Sequence, residues 1–445
     1  MTRNILAFIL NSHSKNKLWL CVLVCLMSGA FRQGMLHAQT DVYIGLEAHG
    51  RHLNIGLSSF LPKNISVRES SLCREIESVV RYDLLFSLYF NLIEGGPVPS
   101  PEGIIDFKQW ADLGAHTVII GLGEIVTEGF IMNIHLFDTQ SQELIWEHAF
   151  SGSAQHPRAL AHRISDEIVL RFTGEKGIAQ TKIAFSSDAT GSKEIYVCDY
   201  DGHNIKRLTN AESISLFPRW SPDGQTIIYT SYKDRNPDLF IMNADGSSDR
   251  PLSMRQGLNT AARWSPDGRY IALTMSVQED PNIFLIDPTG QLVRRLTRAR
   301  GAEVAPSFSP NGQHVVFTAD RPGYPQLYVV DIFGRRTRRL FVGNYCDSPD
   351  WSPNGDTIVF SMISGGRYFD IYSIDIFGHH PVRLTFNSRN NENPSWSPDG
   401  RFIVFTSKRN RKSEIFVMSA DGTNQHRLFS IRGECFTPDW GPFPE

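Results

Sequence analysis

Long apolar runs, net charge and cysteine are all scarce in this 445-residue chain. The longest apolar stretch, residues 18–30, holds thirteen apolar or small side chains. A bilayer core of about 30 Å needs about 20, and no later stretch comes closer, so no membrane span is expected. With 44 basic and 47 acidic side chains, the net charge is −3. That removes the electrostatic argument for a dedicated nucleic-acid binder. Two of the six cysteines, Cys21 and Cys25, lie in the apolar stretch. The remaining Cys73, Cys198, Cys346 and Cys435 are too few for a disulfide framework. The chain also lacks a G-x-S-x-G elbow, an H-E-x-x-H pair and, past the apolar stretch, any C-x-x-C. No catalytic residue, metal site or cofactor is therefore expected. What the chain has in quantity is 35 Gly, 24 Pro and 28 Phe, the turn and strand formers of an all-β body.

Residues 1–38 read as a signal peptide. Arg3, Lys15 and Lys17 precede the short apolar run, and small residues follow it. Cleavage after Ala38 suits patterned sequence that starts at Asp41; Ala30 is the alternative. Cys25 follows Val22, Leu23 and Val24, without the small residue that lipoprotein processing wants. Export is the expectation.

The second half is periodic. Gly202, Gly246, Gly290, Gly334, Gly378 and Gly422 are spaced 44 residues apart. The same interval separates Leu208, Leu252, Leu296, Leu340, Leu384 and Leu428, and also Tyr196, Phe240, Phe284, Tyr328, Tyr372 and Phe416. Ser-Pro-Asp/Asn-Gly follows Trp220, Trp264, Phe308, Trp351 and Trp396, and a truncated Gly-Pro follows Trp440. Proline presets φ and the Asp/Asn-Gly pair supplies the turn, so each motif closes a hairpin. Units of about 44 residues with four short strands (a to d) are β-propeller blades. Six are counted over residues 181–445. The first lacks a Trp strand of its own, and the C-terminal segment supplies it, closing the ring and leaving no open edge. The uniform a–b and c–d turns must share one face. The variable b–c and d–a loops share the other, where recognition usually sits.

Residues 41–173 differ. Residues 41–48 and 53–60 alternate like strands, and 71–92 place Leu72, Ile76, Val79, Val80, Leu84 and Leu88 at helical spacing. A short helix over 105–113, strands over 115–120, 130–137 and 144–150, and a helix over 157–172 follow. The expected fold class is thus multidomain: an N-terminal α/β domain, then a six-bladed all-β propeller with four-stranded blades.

Some features invite a sharper reading. Asp199, Asp201 and Asn204 are spaced faintly like a calcium loop, but five sister turns lack that set, so a plain hairpin is expected. His379 and His380 fall at a turn and read as solvated. Arg294, Arg295, Arg298, Arg300 and Arg335, Arg336, Arg338, Arg339 lie on or beside outer strands. There, edge protection outweighs polyanion binding. Cys198 occupies a position filled elsewhere by Met242, Ile286, Val330, Ile374 and Met418, so it reads as buried. Cys346 and Cys435 read as free thiols.

The chain resembles the TolB family of the Tol–Pal system over about residues 41–442. The most specific match is the junction Ala161-His162-Arg163-Ile164-Ser165-Asp166, Phe172-Thr173-Gly174-Glu175-Lys176-Gly177 and Thr181-Lys182-Ile183-Ala184-Phe185. Asp83-Leu84 and Phe90 match a second pattern. Ala179-Gln180 departs from the family, which prefers an aromatic there. The resemblance implies a non-catalytic periplasmic scaffold, monomeric within its complex, that supports outer-membrane integrity and envelope constriction during division. It implies that the lipoprotein Pal binds the propeller at the channel mouth, on the d–a loop face. By position this falls on Leu258, Asn259, Thr260, Ala261, Glu303, Val304, Cys346, Asp347, Asn391 and Glu392. It implies that TolA engages Gln39, Thr40, Asp41, Val42, Tyr43, Ile44, Gly45 and Leu46. Two rival readings stay open: a propeller lactonase or glycosidase, which needs acidic residues converging in the channel, and a glycan-binding module, hinted at by Phe217 and Phe436.

Overall fold

A computed structural model describes residues 52–64, 66–99, 104–276, 280–321, 323–341, 343–386 and 388–444. The leader and the segment Gln39 to Leu46 lie outside the described residues.

The first half is a mixed sheet carrying helices. Its strands are β1 (Leu53–Leu57), β2 (Leu61–Pro62), β3 (Phe90–Ile93), β4 (Thr117–Val126), β5 (Gly129–Asp138) and β6 (Leu144–Gly152). They run in the order β3-β1-β4-β5-β6, with β2 pairing in parallel with β4 beyond the end of β1. Helices α1 (Val67–Phe86) and α3 (Pro157–Thr173) bury Leu72, Ile76, Val80, Leu84, Ile164 and Ile168 in one core with Ile55, Phe130, Met132 and Ile134 of the sheet. A short helix, α2 (Phe107–Asp112), places Trp110 against Val118 and Ile120 in a separate cluster.

The expected helix over 71–92 is corrected at both ends. It begins four residues earlier, where Ser66 caps it by accepting from the Glu69 amide. It stops at Phe86 because the Ser87 hydroxyl donates back to the Leu84 carbonyl and Leu88 turns left-handed at φ 59°. Phe90 then pairs in parallel with Leu53 on β1. Phe86 and Leu88 match helical spacing, yet their apolar side chains serve the propeller, packing beside Tyr200 and Phe402.

Residues beyond 181 form six four-stranded antiparallel sheets. Blade 1 has the strand order Cys435–Trp440, Lys182–Ser187, Glu194–Asp199, Lys206–Arg207, so the C-terminus supplies its inner strand. Blades 2 to 6 begin with inner strands Ser215–Trp220, Asn259–Trp264, Glu303–Phe308, Cys346–Trp351 and Asn391–Trp396. The repeat, the six-fold count and the circular closure are as the periodicity predicts.

The periodicity does not announce a bulge in every inner strand. The third residue of each (Phe217, Ala261, Ala305, Ser348, Asn393 and Thr437) is left-handed, with φ between 49° and 53°. Pairing with the second strand breaks there in all six blades. Six non-glycine residues in this region are uncommon. A bulge at the same register throughout bends each strand equally, which suits strands that surround a common axis.

Candidate functional site

The channel has a closed end and an open one. At the closed end the fifth residue of each inner strand points inward: Arg219, Arg263, Ser307, Asp350, Ser395 and Asp439. These residues do a structural job. An inner strand is a sheet edge with unpaired amides, and the neighbouring blade's side chain supplies the acceptor. The Trp220 amide donates to Asp439 Oδ2 (2.9 Å), Trp351 to Ser307 Oγ (3.1 Å), Trp396 to Asp350 Oδ2 (2.9 Å) and Trp440 to Ser395 Oγ (3.3 Å). Two buried carboxylates then need charge. Arg263 reaches both, 2.8 Å to Asp350 and 2.6 Å to Asp439, tying blades 3, 5 and 1 across the axis. Burial opposes the Arg263 charge, but the two aspartates more than offset it and hold its pKa above the ordinary value. Arg219 is pulled down to about 10, by burial first and then by Arg263, with Asp439 opposing. The sequence carried a signal for this ring: a polar residue just before the aromatic in all six blades.

Above the ring, on the uniform-turn face, lies a vestibule of about 260 Å³, lined by the six aromatics and the Ser-Pro turns. Its two carboxylates, Asp350 and Asp439, converge on Arg263 and on strand amides, an arrangement unlike the free acid–base pair of glycosidic chemistry.

The open end is the d–a mouth, where the sequence placed ten residues. The bulge and the strand alternation sort them. Leu258, Thr260, Ala261, Val304, Asp347 and Glu392 are half-buried around the rim. Asn259, Glu303, Cys346 and Asn391, at the first position of their strands, are fully buried. Their side chains turn into the blades instead. Asn259 bonds Asp238 and the Gly257 carbonyl; Glu303 is paired with Arg321; Asn391 bonds Asp370 and Ser388; and Cys346 donates to the Asn344 carbonyl. These four brace the loops and cannot themselves touch a partner.

The rim is two-sided. Blades 1 to 3 contribute Phe436, Leu216, Phe217 and Leu258, with Lys193 over the Phe436 ring at 4.3 Å. Blades 5 and 6 contribute Asp347 and Glu392. Burial pushes both carboxyl pKa values up, and the Asp347 charge pushes Glu392 further, partly offset by Lys408. Two half-desolvated like charges with no arginine between them favour a cationic visitor. A rim that is apolar on one side and acidic on the other therefore suits a protein segment carrying both an apolar and a basic group.

The junction residues come together between the domains. Asp83 of α1 accepts from Tyr200 (2.6 Å) and from His162 Nδ1 of α3 (2.8 Å), while Arg158 pairs with Asp201 of the first c–d turn. Asp201 thus faces a guanidinium, and Asp199 is occupied by Lys182 and Asn204. Asp83, His162 and Asp201 do have metal-ligand spacing among the described residues. The two carboxylates already face Tyr200 and Arg158, however, and His162 Nδ1 faces Asp83. His162 Nε2 is buried and only 3.8 Å from Asp201, so the ion network reads as an interdomain clamp. Asp166 accepts from the Ala179 amide (2.8 Å) and from Gln180, holding the connection; a Cβ at Gly177 would meet its Oδ1 at 2.2 Å. Burial pushes Asp166 up to about 6 against those hydrogen bonds. Arg401 of blade 6 stacks on Tyr89 at 3.6 Å.

Burial lowers the His162 pKa, but the hydrogen bond and charge of Asp83 outweigh it, leaving it above the ordinary 6.5. The charged form's stabilisation is therefore full below about 6.5 and lost as pH rises through the folded value. The expected result is a His162-dependent fall in melting temperature as pH rises above about 6.5. His162→Gln flattens that component. Identical slopes for the two proteins would refute the clamp's dependence on this charge.

All four described cysteines are buried free thiols. Arg294 and Arg338, on outer strands, donate to the Phe333 and Ile376 carbonyls of the next blade's c–d turn, so part of the arginine excess is an interblade tether.

Comparison with known proteins agrees with this architecture. Residues 47–145 match the TolB amino-terminal domain and 169–444 match the TolB beta propeller domain. The chain is 40% identical over 163 residues to a Tol-Pal system protein TolB of Desulfosudis oleivorans, covering 35% of this chain and 37% of that one. It is 37% identical over 211 residues to the protein of the same name in Geobacter sulfurreducens, covering 46% and 48%. The aligned stretch thus spans less than half the length of each of these relatives. The crystal structure of TolB from Acinetobacter baumannii superposes with a TM-score of 0.77 at 25% identity, over 88% of this chain and 98% of that one.

Proposed function

The chain belongs to the TolB family, and from that premise we propose that it is a non-catalytic, periplasmic component of the Tol–Pal system. It would bind the lipoprotein Pal at the d–a mouth, through Leu258, Thr260, Ala261, Val304, Asp347 and Glu392. Asn259, Glu303, Cys346 and Asn391 would support that rim from inside. Gln39 to Leu46 would engage TolA and so couple the complex to the inner membrane. The single observation that carries the Pal assignment is the rim itself: paired half-buried carboxylates opposite an apolar wall, on the face that the α/β domain leaves open. A rigid ring that presents variable loops is suited to recognition, and the arginine-neutralised channel favours a scaffold over a hydrolase.

A pull-down with the Pal homologue tests this. Asp347→Lys combined with Glu392→Lys is expected to weaken capture by about a thousandfold, since two desolvated interfacial charges at about 2 kcal/mol each cost about 4 kcal/mol when reversed. Deleting residues 39–46 is expected to leave Pal capture intact and abolish TolA capture. Unchanged Pal binding in the lysine variant would move the site off this mouth.

A further inference from the structure

The six blades serve as internal controls for one another, and blades 4 and 5 depart from the pattern on the uniform-turn face. At the third residue of the c–d turn the other blades carry Asp201, Asp245, Thr289 and Asp421, whereas these two carry Phe333 and Phe377. The fold does not require an aromatic there, because four sister turns close without one. Neither ring is hidden: Phe333 is 54% and Phe377 68% exposed.

Cations surround them. Residues 288–302 and 332–346 contain four arginines each, in a chain whose net charge is −3, while the nearest carboxylates, Asp287, Asp331 and Asp375, are turned onto the turn amides. Arg298 and Arg300 lie past the outer strand, toward the d–a loop, but Arg294, Arg335, Arg336 and Arg338 lie on or beside the two turns. Arg294 and Arg335 stack on Phe333 at 5.5 and 5.2 Å, and Arg338 reaches the turn that carries Phe377. None of the four makes a side-chain ion pair with a carboxylate among the described residues; Arg294 and Arg338 instead donate to the Phe333 and Ile376 carbonyls. The α/β domain meets the same face at blades 1 and 6, through Tyr200, Asp201, Arg401 and Phe402.

We propose that the c–d turns of blades 4 and 5 form a docking surface for the phosphate-bearing headgroups of an anionic bilayer. Exposed aromatic rings held among unpaired arginines are what an interfacial contact uses: the rings enter the headgroup boundary and the guanidiniums bind phosphate. An acidic polymer would need the arginines but not the rings. The surface lies on the opposite face from the Pal-binding mouth and does not depend on it.

Co-sedimentation with vesicles tests it, using the chain without residues 1–38. Binding is expected to phosphatidylethanolamine vesicles containing phosphatidylglycerol and not to phosphatidylcholine alone, and to weaken as salt is raised. Arg335→Glu with Arg336→Glu should lower binding at least about tenfold, while Arg335→Lys with Arg336→Lys retains most of it. Phe333→Thr with Phe377→Thr installs the side chain that Thr289 already supplies, so the fold is kept, and binding is expected to fall about tenfold. Absence of binding to phosphatidylglycerol vesicles overturns the proposal. So does full binding by the threonine variant, which would mark the patch as a purely ionic contact for a polymer.

Discussion

A chain that ends at Cys435 should lose the cooperative fold of its propeller. Deleting residues 436–445 takes out most of the inner strand of blade 1, Cys435–Trp440, which pairs Phe436 with Ser186, Asp439 with Ala184 and Trp440 with Ile183. Trp440 is 5% exposed, and its indole donates to Thr181 at 2.9 Å. Losing it and its neighbours removes about 3 kcal/mol of apolar burial for the largest side chain and about 1 kcal/mol for each ladder bond. Asp439 also leaves, taking one of the two carboxylates that neutralise Arg263. The combined loss is about 10 kcal/mol, as large as the whole stability of a typical domain. The edge of Lys182–Ser187 would stand open in the channel, a template for aggregation. Urea unfolding followed by tryptophan fluorescence should show no cooperative transition. A truncated chain with the parent's midpoint would mean that the ring does not depend on its closure.

Arg263→Met should cost about 3–5 kcal/mol, although it removes no secondary structure. The substitution keeps the apolar stem and deletes the one group that touches both Asp350 and Asp439. Those carboxylates cannot turn away, because they also accept the Trp396 and Trp220 amides. Arg263→Lys should rescue only part, since one compact ammonium replaces a planar fork that reaches acceptors on two separate blades. Adding Asp350→Asn and Asp439→Asn to Arg263→Met should restore most of the loss, because asparagine keeps an acceptor oxygen for each amide and removes the charge. Stability of Arg263→Met within about 0.5 kcal/mol of the parent would show that the axial ion network is a bystander.

Much of the propeller was legible because the sequence states it six times. A turn glycine, a leucine and a tyrosine or phenylalanine at a 44-residue period are local signals, and each blade corroborates the next. The end of α1 was not legible. Leu88 continues the helical spacing, and only the neighbouring blade explains why an apolar side chain lies there. The ten rim residues were placed in runs by position, but a run cannot say which of two alternating side chains faces out. Strand register and the bulge decide that, turning Asp347 and Glu392 to the mouth and Asn259, Glu303, Cys346 and Asn391 inward.

The sequence by itself determined the two-part organisation, the blade count and the closing strand, since these rest on composition, periodicity and turn chemistry among near neighbours. The tertiary structure alone decided which charges meet. Arg263 and Asp439 are 176 residues apart and Asp83 and Tyr200 are 117, and nothing local to either residue names its partner. Ring closure brings the first pair together across an axis, and domain docking brings the second together in a buried seam. Coulombic and hydrogen-bond energies depend on such distances and on burial, so these partners become readable only once the chain is folded.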